Sequence, residues 1–169
     1  MADLDSSTPL KRIGTTALLI KDGTTPTANS VSVIFEGSFS ATVTGRAVVE
    51  ATSQGRHKTT PVLVETTSGT VALEFDGHIT SLKGSSNTHI YEALTRTGTA
   101  ASWVSTGDGD AYTVEIVATF LESKQTGAAT QTLTFAFCHP DSIQIEAGTE
   151  DAVRFSASLT DFEDYPTAA

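Results

Sequence analysis

The chain has 169 residues, a formal net charge of −10 and a sequence isoelectric point near 4.6. This length suits one domain with a sizeable core. We expect a single domain over 13–160, an N-terminal arm at 1–12 and an acidic C-terminal tail at 161–169. Proteins that grip the nucleic acid backbone need clustered Lys and Arg, so ten scattered basic residues argue against that class.

No segment predicts export, membrane insertion or a disulfide. The first ten residues are polar, and no apolar run approaches the ~20 residues of a membrane helix. Cys138 is the single cysteine, so an intramolecular disulfide is impossible. We expect a soluble protein made in the cytoplasm, with no membrane insertion.

In chain order, the first half predicts strands separated by turn residues. Strands are expected at 16–21, 30–36, 38–44, 46–52, 61–66 and 70–80. Asp22-Gly23 closes the first of them, and a hairpin is expected around Ser68-Gly69. Residues 53–60 are polar and predict an exposed loop.

One helix is predicted, at about 87–97. Asn87 or Thr88 caps it and Gly98 ends it. Ile90, Tyr91 and Leu94 form an apolar stripe, so this short helix has to pack on a sheet. Glu92 and Arg96 stand at the i and i+4 positions that suit an ion pair.

The second half predicts further strands at 101–105, 111–122, 131–139, 142–146 and 152–160, with Pro140 stopping one of them. Here and in 70–80, large apolar residues alternate with Ser, Thr, Ala or an acid. The apolar positions are Val71, Leu73 and Phe75, then Leu133, Phe135 and Phe137, then Val153, Phe155, Ala157 and Leu159. Successive strand side chains point to opposite faces, so these sheets have one buried face and one small, hydroxylated and acidic face. The fold class is mainly β, a sandwich or barrel with one short helix.

The motifs that carry chemistry are missing from the sequence. No histidine pair has the i, i+4 spacing of a zinc site, and no glycine-rich phosphate loop is present. Residues 107–110 (Gly-Asp-Gly-Asp) lack the twelve-residue calcium pattern and predict a turn. Trp103 and Tyr91 are either core residues beside the helix or a stacking platform for a ligand. We expect no catalytic, cofactor or metal site, and therefore no enzyme.

The order of these elements resembles that of bacteriophage tail tube proteins, the major tail proteins of long non-contractile tails. Three stretches carry the resemblance: Ala17-Leu-Leu-Ile-Lys-Asp-Gly leading to Asn29-Ser-Val-Ser-Val-Ile-Phe-Glu-Gly; the lone helix Asn87-Thr-His-Ile-Tyr-Glu-Ala-Leu; and Leu133-Thr-Phe-Ala-Phe-Cys-His-Pro-Asp-Ser with the two strand patterns that follow it. Together they span most of the chain.

The resemblance implies a structural virion protein with a β-sandwich-like subunit and one flanking helix. Six such subunits form a ring, their inner sheets join into a barrel around a channel, and rings stack into a tube through which DNA passes without specific binding. The implied partners are other copies of the chain and the tape measure, tail terminator and distal tail proteins. The implied place of the protein is the virion tail, after synthesis in the host cytoplasm.

The resemblance also suggests functional residues. The candidate lumen-facing acids lie within predicted strands: Glu50, Glu65, Glu74, Asp76 and Glu115. The candidate inter-ring loop contains Gln54, Gly55, Arg56, His57 and Lys58. Two alternatives stay open at this point. One is a ring-forming tail terminator or connector; the other is a monomeric β-sandwich module that binds a ligand through Trp103, Tyr91 and residues 107–110.

Overall fold

The computed structural model describes residues 13–34, 38–45, 48–51, 62–65, 69–78, 87–122, 130–147, 153–162 and 166–168. The strands are β1 Ile13–Lys21, β2 Ser30–Ile34, β3 Phe39–Thr44, β4 Val48–Ala51, β5 Val62–Glu65, β6 Thr70–His78, β7 Val114–Glu122, β8 Thr130–Glu146, β9 Arg154–Asp161 and β10 Thr167–Ala168. The α-helix α1 spans Ile90–Thr95, and a 3₁₀ turn follows at Gly98–Ala100. The architecture is mainly antiparallel β with one short helix, which confirms the predicted fold class.

The main sheet has to curve. Its strand order is β2-β1-β7-β8-β9-β6-β3, so β2 and β3 form its two edges although they follow one another in the chain. Seven strands laid flat would separate the edges by about 29 Å. Five residue steps lead from Ile34 to Phe39 and reach at most about 18 Å. The sheet therefore folds back on itself and encloses its apolar face.

The core is the interior of this curved sheet. Phe39 on edge strand β3 reaches across it to Phe120 and Phe135, with ring centroids 6.4 and 6.2 Å away. The predicted alternation is confirmed in β6 and β9, where Leu73, Phe155 and the other inward-facing apolar residues of these strands are buried. Helix α1 adds Ile90 and Leu94 to the same core.

Strand β8 runs for 17 residues and changes partners midway. Its residues 130–138 pair with β7, and its residues 138–146 pair with β9. The prediction that Pro140 ends the strand is therefore wrong. Pro140 stands opposite Leu159 next to a bulge that precedes Ser142, and a bulge is a place where a strand accommodates proline.

A second bulge moves Phe137 to the outside. Ile116 pairs with Phe135 and Val114 pairs with Cys138, so two steps on β7 match three on β8. The extra residue reverses the parity of the strand: Phe135 and Cys138 are buried, whereas Phe137 is exposed. The prediction of one continuous apolar face through Phe137 was wrong for this reason.

The predicted hairpin around Ser68-Gly69 is also wrong. β5 pairs with β4, and β6 pairs with β3 on one side and with β9 on the other. The last pair of β3 and β6 is Thr44 with Thr70, and the next pair along the chain is Val48 with Glu65. The pairs of β4 and β5 are thus nested in the chain within those of β3 and β6, and we call these four strands the long hairpin.

The helix and the segment after it are shorter and more irregular than predicted. His89 is the N-cap instead of Asn87 or Thr88, and Arg96 takes the left-handed C-cap conformation. The predicted strand at 101–105 is wrong, since the 3₁₀ turn runs into turn residues. Trp103 is buried, which confirms its interpretation as a core residue.

Candidate functional site

One face of the sheet is polar and built from small side chains. It spans four adjacent strands, β3, β6, β9 and the 139–146 half of β8, which we call the polar sheet. One row across it reads Ser40, Glu74, Ser158, Ser142, each paired with the next. We call this surface the polar face; its polar and charged residues include Ser40, Thr42, Glu74, Asp76, Ser142, Gln144, Glu146, Arg154, Ser156, Ser158 and Thr160. An open groove of about 350 Å³ runs over it.

The polar face lies opposite the core because of strand parity. On β9 the buried residues Phe155, Ala157 and Leu159 alternate with three hydroxyl side chains. Hydroxyl side chains satisfy their hydrogen bonds with water or locally, as Thr160 does by donating to Asp141 at 2.6 Å. Hydroxyl groups therefore dominate the middle of the face, and its long charged side chains Glu146 and Arg154 lie at one end.

Asp76 is held in place at one end of the polar face. Its carboxylate accepts hydrogen bonds from the hydroxyl and the backbone N–H of Ser38. These two bonds hold the pKa of Asp76 below its ordinary value. The positive charge of the nearby Arg154 lowers the pKa of Asp76 further, so Asp76 is a fixed anionic group beside a cation.

The structure brings together two of the five predicted acids. Glu74 and Asp76 share the polar face on β6. Glu115 lies on β7, separated from β6 by β8 and β9, and forms an ion pair with Lys21 at 2.7 Å. Glu50 pairs with Leu63 and Glu65 with Val48 in the β4–β5 ladder, and their side chains lie outside the described residues.

The predicted inter-ring loop, residues 54–58, also lies outside the described residues. The strands that it joins are described. β4 and β5 pair over four positions and form the far part of the long hairpin.

The polar sheet has two edges that pair on one side only within the described part of the chain. β3 pairs with β6, and the 139–146 half of β8 pairs with β9. Each edge carries an exposed apolar side chain on the core side of the sheet. Val43 on β3 is 45% exposed, and Ile145 on β8 is 38% exposed. β3 has no charged residue or proline, which are features that usually prevent strand addition. The β8 edge carries Pro140, Asp141 and a bulge at one end and Glu146 at the other, so only its residues 142–145 lack them.

Around β1, β7 and helix α1, by contrast, buried polar side chains form hydrogen bonds with the loops. Asp22 is buried at the end of β1, and its carboxylate accepts five hydrogen bonds, from Thr24, Asn29 and the N–H of Val104. Burial by itself raises the pKa of Asp22, but these bonds outweigh it and lower the pKa below its ordinary value. The sequence indicated only a turn at this position.

Two more buried groups extend this arrangement. Glu92 accepts hydrogen bonds from Thr99 at 2.8 Å and from the N–H of His89. A Cβ on Gly98 would lie 2.0 Å from the Glu92 carboxylate, so only glycine fits there. The hydroxyl of Thr113 accepts a hydrogen bond from the N–H of Gly107 at 2.9 Å, which ties the 107–110 turn to β7.

The described residues hold no group of three or more His, Cys, Asp or Glu side chains that could bind a metal. His139 Nδ1 lies 2.9 Å from the carbonyl oxygen of Tyr112, so it is engaged with the backbone. None of the helices in the described part of the chain is long and apolar enough to span a membrane.

Comparisons with known proteins match the fold alone. No protein-family model matches the chain, and no curated protein matches it in sequence. Among solved structures, a chain of the anti-feeding prophage (AFP) baseplate, solved by cryo-EM and six-fold symmetrised, superposes with a TM-score of 0.58 at 13% identity, covering 96% of this chain and 97% of that one. The SPP1 tail tube, whose hybrid structure combines solid-state NMR and cryo-EM, superposes with a TM-score of 0.51 at 11% identity. The match covers 92% of this chain and 77% of that one. The chain therefore has the β-rich fold of the phage tail tube type.

Proposed function

We propose that this protein is a structural subunit of a phage-type tail tube, which assembles into stacked hexameric rings around a channel for DNA. The observation that carries the proposal is the polar sheet, which combines a small polar face with two edges open to strand addition. Its fold neighbours support it, since one is a tail tube and the other belongs to a six-fold symmetrised baseplate.

The polar sheet is suited to ring closure by strand pairing. All its pairs are antiparallel, so β3 and the 139–146 half of β8 run in opposite directions. A neighbour's β8 placed beside β3 therefore makes another antiparallel pair, and the same head-to-tail contact repeats around a ring. Val43 and Ile145 lose water at these joints, which adds an apolar contribution to the backbone hydrogen bonds.

Ring closure in this way forms a continuous barrel from four strands of each subunit. At ~4.8 Å between strands, roughly 24 strands enclose a channel at least ~35 Å across between backbones. The polar face lines this channel, with Glu74, Asp76 and Glu146 as its acids and Arg154 as a single basic side chain beside two of them. Clustered Lys or Arg would bind phosphate and slow DNA, whereas hydroxyl groups and carboxylates let it pass.

The long hairpin is proposed to connect successive rings. β4 and β5 pair with each other, and the segment 52–61 that joins them contains the candidate inter-ring residues 54–58. The tape measure, tail terminator and distal tail proteins are the proposed further partners, and the virion tail is the proposed location.

Negative-stain electron microscopy of the purified protein tests this function. We expect tubes with sixfold rings at high protein concentration. A protein that stays monomeric under every condition contradicts the proposal.

The baseplate neighbour favours a second candidate, a connector that forms one ring, because the match covers nearly all of that baseplate chain. The length of the assembled object separates the two functions. Single rings that never lengthen support the connector, and tubes of many rings support the tail tube subunit.

A further inference from the structure

The ladder of the polar sheet determines which backbone groups point out of its β3 edge. The N–H of Asp76 donates a hydrogen bond to the carbonyl of Ser38 at 3.1 Å, so these two residues form a bonded pair. Bonded pairs alternate along an antiparallel ladder, and the register of β3 with β6 has no shift. The even-numbered residues of β3 therefore bond to β6, whereas the N–H and C=O groups of Ala41 and Val43 point away from β6.

The same alternation continues across the sheet to the β8 edge. Because the even-numbered residues of β6 bond to β3, its odd-numbered residues bond to β9, and this register has no shift either. The even-numbered residues of β9 then bond to β8, where they stand opposite Ser142, Gln144 and Glu146. The backbone groups of Ile143 and Ile145 are therefore the ones that point out of the second edge.

The two edges match each other in both respects that strand pairing requires. On each edge, the residues whose backbone groups point outward carry their side chains on the core side of the sheet: Ala41 and Val43 on β3, and Ile143 and Ile145 on β8. Residues directly opposite each other in a sheet share one face. A pairing of β3 with the β8 of a neighbouring copy, which we call the ring joint, thus keeps the polar face and the core side continuous.

Three registers of the ring joint keep this match, with Val43 opposite Asp141, Ile143 or Ile145; we name each register by that residue of β8. The Ile143 register pairs all of residues 40–44 with β8 residues that lie beyond the bulge, which makes five pairs. The Asp141 register uses the bulge itself, where the ladder is irregular. The Ile145 register leaves three pairs within the two strands. Backbone hydrogen bonding therefore favours the Ile143 register.

The geometry of a six-fold ring excludes the Asp141 register. A row of paired residues crosses one subunit from Ser40 on β3 to Ser142 on β8. In the Ile143 register, Ser142 faces Thr44 of the next copy, so successive subunits are offset by four residues. Four residues span about 13 Å and four strands about 19 Å, so the strands tilt by about 35° from the ring axis, as in closed barrels. The Asp141 register halves the offset and gives a tilt of about 19°, which is too small for such a barrel.

Charges on the polar face also disfavour the Asp141 register. In that register Glu146 faces Ser38, whose hydroxyl and N–H groups already bond to the carboxylate of Asp76. Two carboxylates would then lie close together, and like charges at neighbouring positions destabilise a sheet. In the Ile143 register, Glu146 faces Ser40, whose hydroxyl can donate a hydrogen bond to it.

We propose that the ring joint has the Ile143 register: residues 40–44 of β3 pair with residues 146–142 of β8 in the neighbouring copy. Val43 faces Ile143 and packs diagonally against Ile145, so the exposed apolar side chains of both edges lose water together. The inference rests on the proposed ring assembly and names the residue pairs that close the ring.

Disulfide cross-linking reads this register. The even-numbered partners are the non-bonded pairs of the joint, with Cα atoms about 4.5 Å apart, and a disulfide can span that distance. The test chain carries Thr42→Cys and Gln144→Cys, which face each other in the Ile143 register. Within one subunit these positions are three strand spacings apart, about 14 Å, which is out of disulfide range. We expect mild oxidation of assembled protein to give covalent oligomers up to the hexamer on a denaturing gel.

Two matched chains test the other registers. Thr42→Cys combined with Ser142→Cys reads the Asp141 register, and Thr42→Cys combined with Glu146→Cys reads the Ile145 register. Each shifts one thiol by about 7 Å along β8, so both chains should link at least about ten-fold less than the test chain. Chains with a single substitution control for Cys138, which is buried. A matched chain that links more than the test chain overturns the proposed register.

The outcome for assembly is read separately by microscopy. Rings in which the test chain does not link show that the register is wrong, while the proposed function stands. If neither rings nor tubes form, the proposed function fails. A covalent dimer of the test chain in the concentrated soluble protein then still supports the register, and its absence there overturns it.

Discussion

Two parts of the molecule differ in whether their strand edges and polar groups find partners within the subunit. The core side of the polar sheet is buried along its inner strands β6 and β9, but within the described residues its β3 and β8 edges pair on one side only and carry exposed Val43 and Ile145 on that core side. The second part, which we call the anchored region, comprises β1, β7, the helix and their loops; there buried Asp22, Glu92 and Thr113 satisfy loop backbone groups. The difference teaches that the buried polar groups of the anchored region bind loops of the same subunit, whereas the open edges of the polar sheet are where the proposed ring closure would take place.

The largest expected effect is on ring assembly, because a charge should block assembly in the polar sheet and leave it unchanged in the anchored region. Val43→Lys places a charge on the apolar part of the β3 edge and should abolish ring formation, because the joint would have to bury an unpaired ammonium group. Val104→Lys is the matched control, since Val104 is 47% exposed but lies in the anchored region. Both variants should keep the free energy of unfolding within about 0.5 kcal/mol. Rings formed normally by the Val43 variant, seen by light scattering and microscopy, would contradict the open-edge interpretation.

The second effect compares one residue type in the two parts. Asp22→Ala removes five hydrogen bonds and leaves the N–H groups of Asn29 and Val104 without the carboxylate. We expect the free energy of unfolding to fall by about 3 kcal/mol, measured by chemical denaturation. Asp76→Ala should have a much smaller effect, because Asp76 lies on the solvent side of the polar sheet. Equal losses of unfolding free energy in the two variants would contradict the difference between the anchored region and the polar sheet.

Acid titration sharpens the same comparison. The folded-state pKa of Asp22 lies below its ordinary value of 3.8. Its ionised form therefore stabilises the fold fully above pH 3.8, and this contribution is lost as the pH falls from there through the lowered pKa. Asp22→Asn cannot titrate, so its stability should change less than that of the parent protein over this range.

The third effect compares alanine substitutions at one glycine in each part of the molecule. A Cβ on Gly23 would lie 2.2 Å from the carbonyl oxygen of Ser105, whereas a Cβ on Gly77 in β6 would meet nothing within 4 Å. Gly23→Ala should destabilise the protein by about 2 kcal/mol, since the backbone at Ser105 has to move. Gly77→Ala should be neutral or slightly stabilising, because alanine restricts the unfolded chain. A thermal denaturation series that ranks Gly77→Ala as the more harmful change would contradict this packing.

The smallest effect concerns the attachment of the helix. The Tyr112 hydroxyl donates a hydrogen bond to the carbonyl of Ala93 at 2.8 Å, and Arg96 lies over its ring. Burial raises the pKa of Tyr112 to about 12. Tyr112→Phe should lower the free energy of unfolding by about 1 kcal/mol and remove this late-titrating phenol from an absorbance titration. A titration unchanged by the substitution would show that another tyrosine carries the high pKa.

Much of the fold and part of the site could be predicted from the sequence. Parity located the buried residues of β6 and β9 and placed Glu74 and Asp76 on the polar face, since side chains alternate wherever a strand is regular. Phe137 escaped prediction because one extra residue at a bulge reverses parity, and bulges leave no mark in a run such as Leu133–Phe137. Glu115 was grouped with the other acids because strand position reveals the face but not the neighbouring strand.

The amino-acid sequence by itself determined the β-rich class, the single helix, the inward residues of most strands and the small acidic character of the outward face, because these depend on local periodicity and side-chain chemistry. Only the tertiary structure decided that β5 pairs with β4, that β8 continues past Pro140, and that Asp22 reaches the N–H of Val104. Strand pairing joins residues far apart in the chain, and its free energy comes from the fit of whole strands. No local pattern encodes which partner gives the best fit.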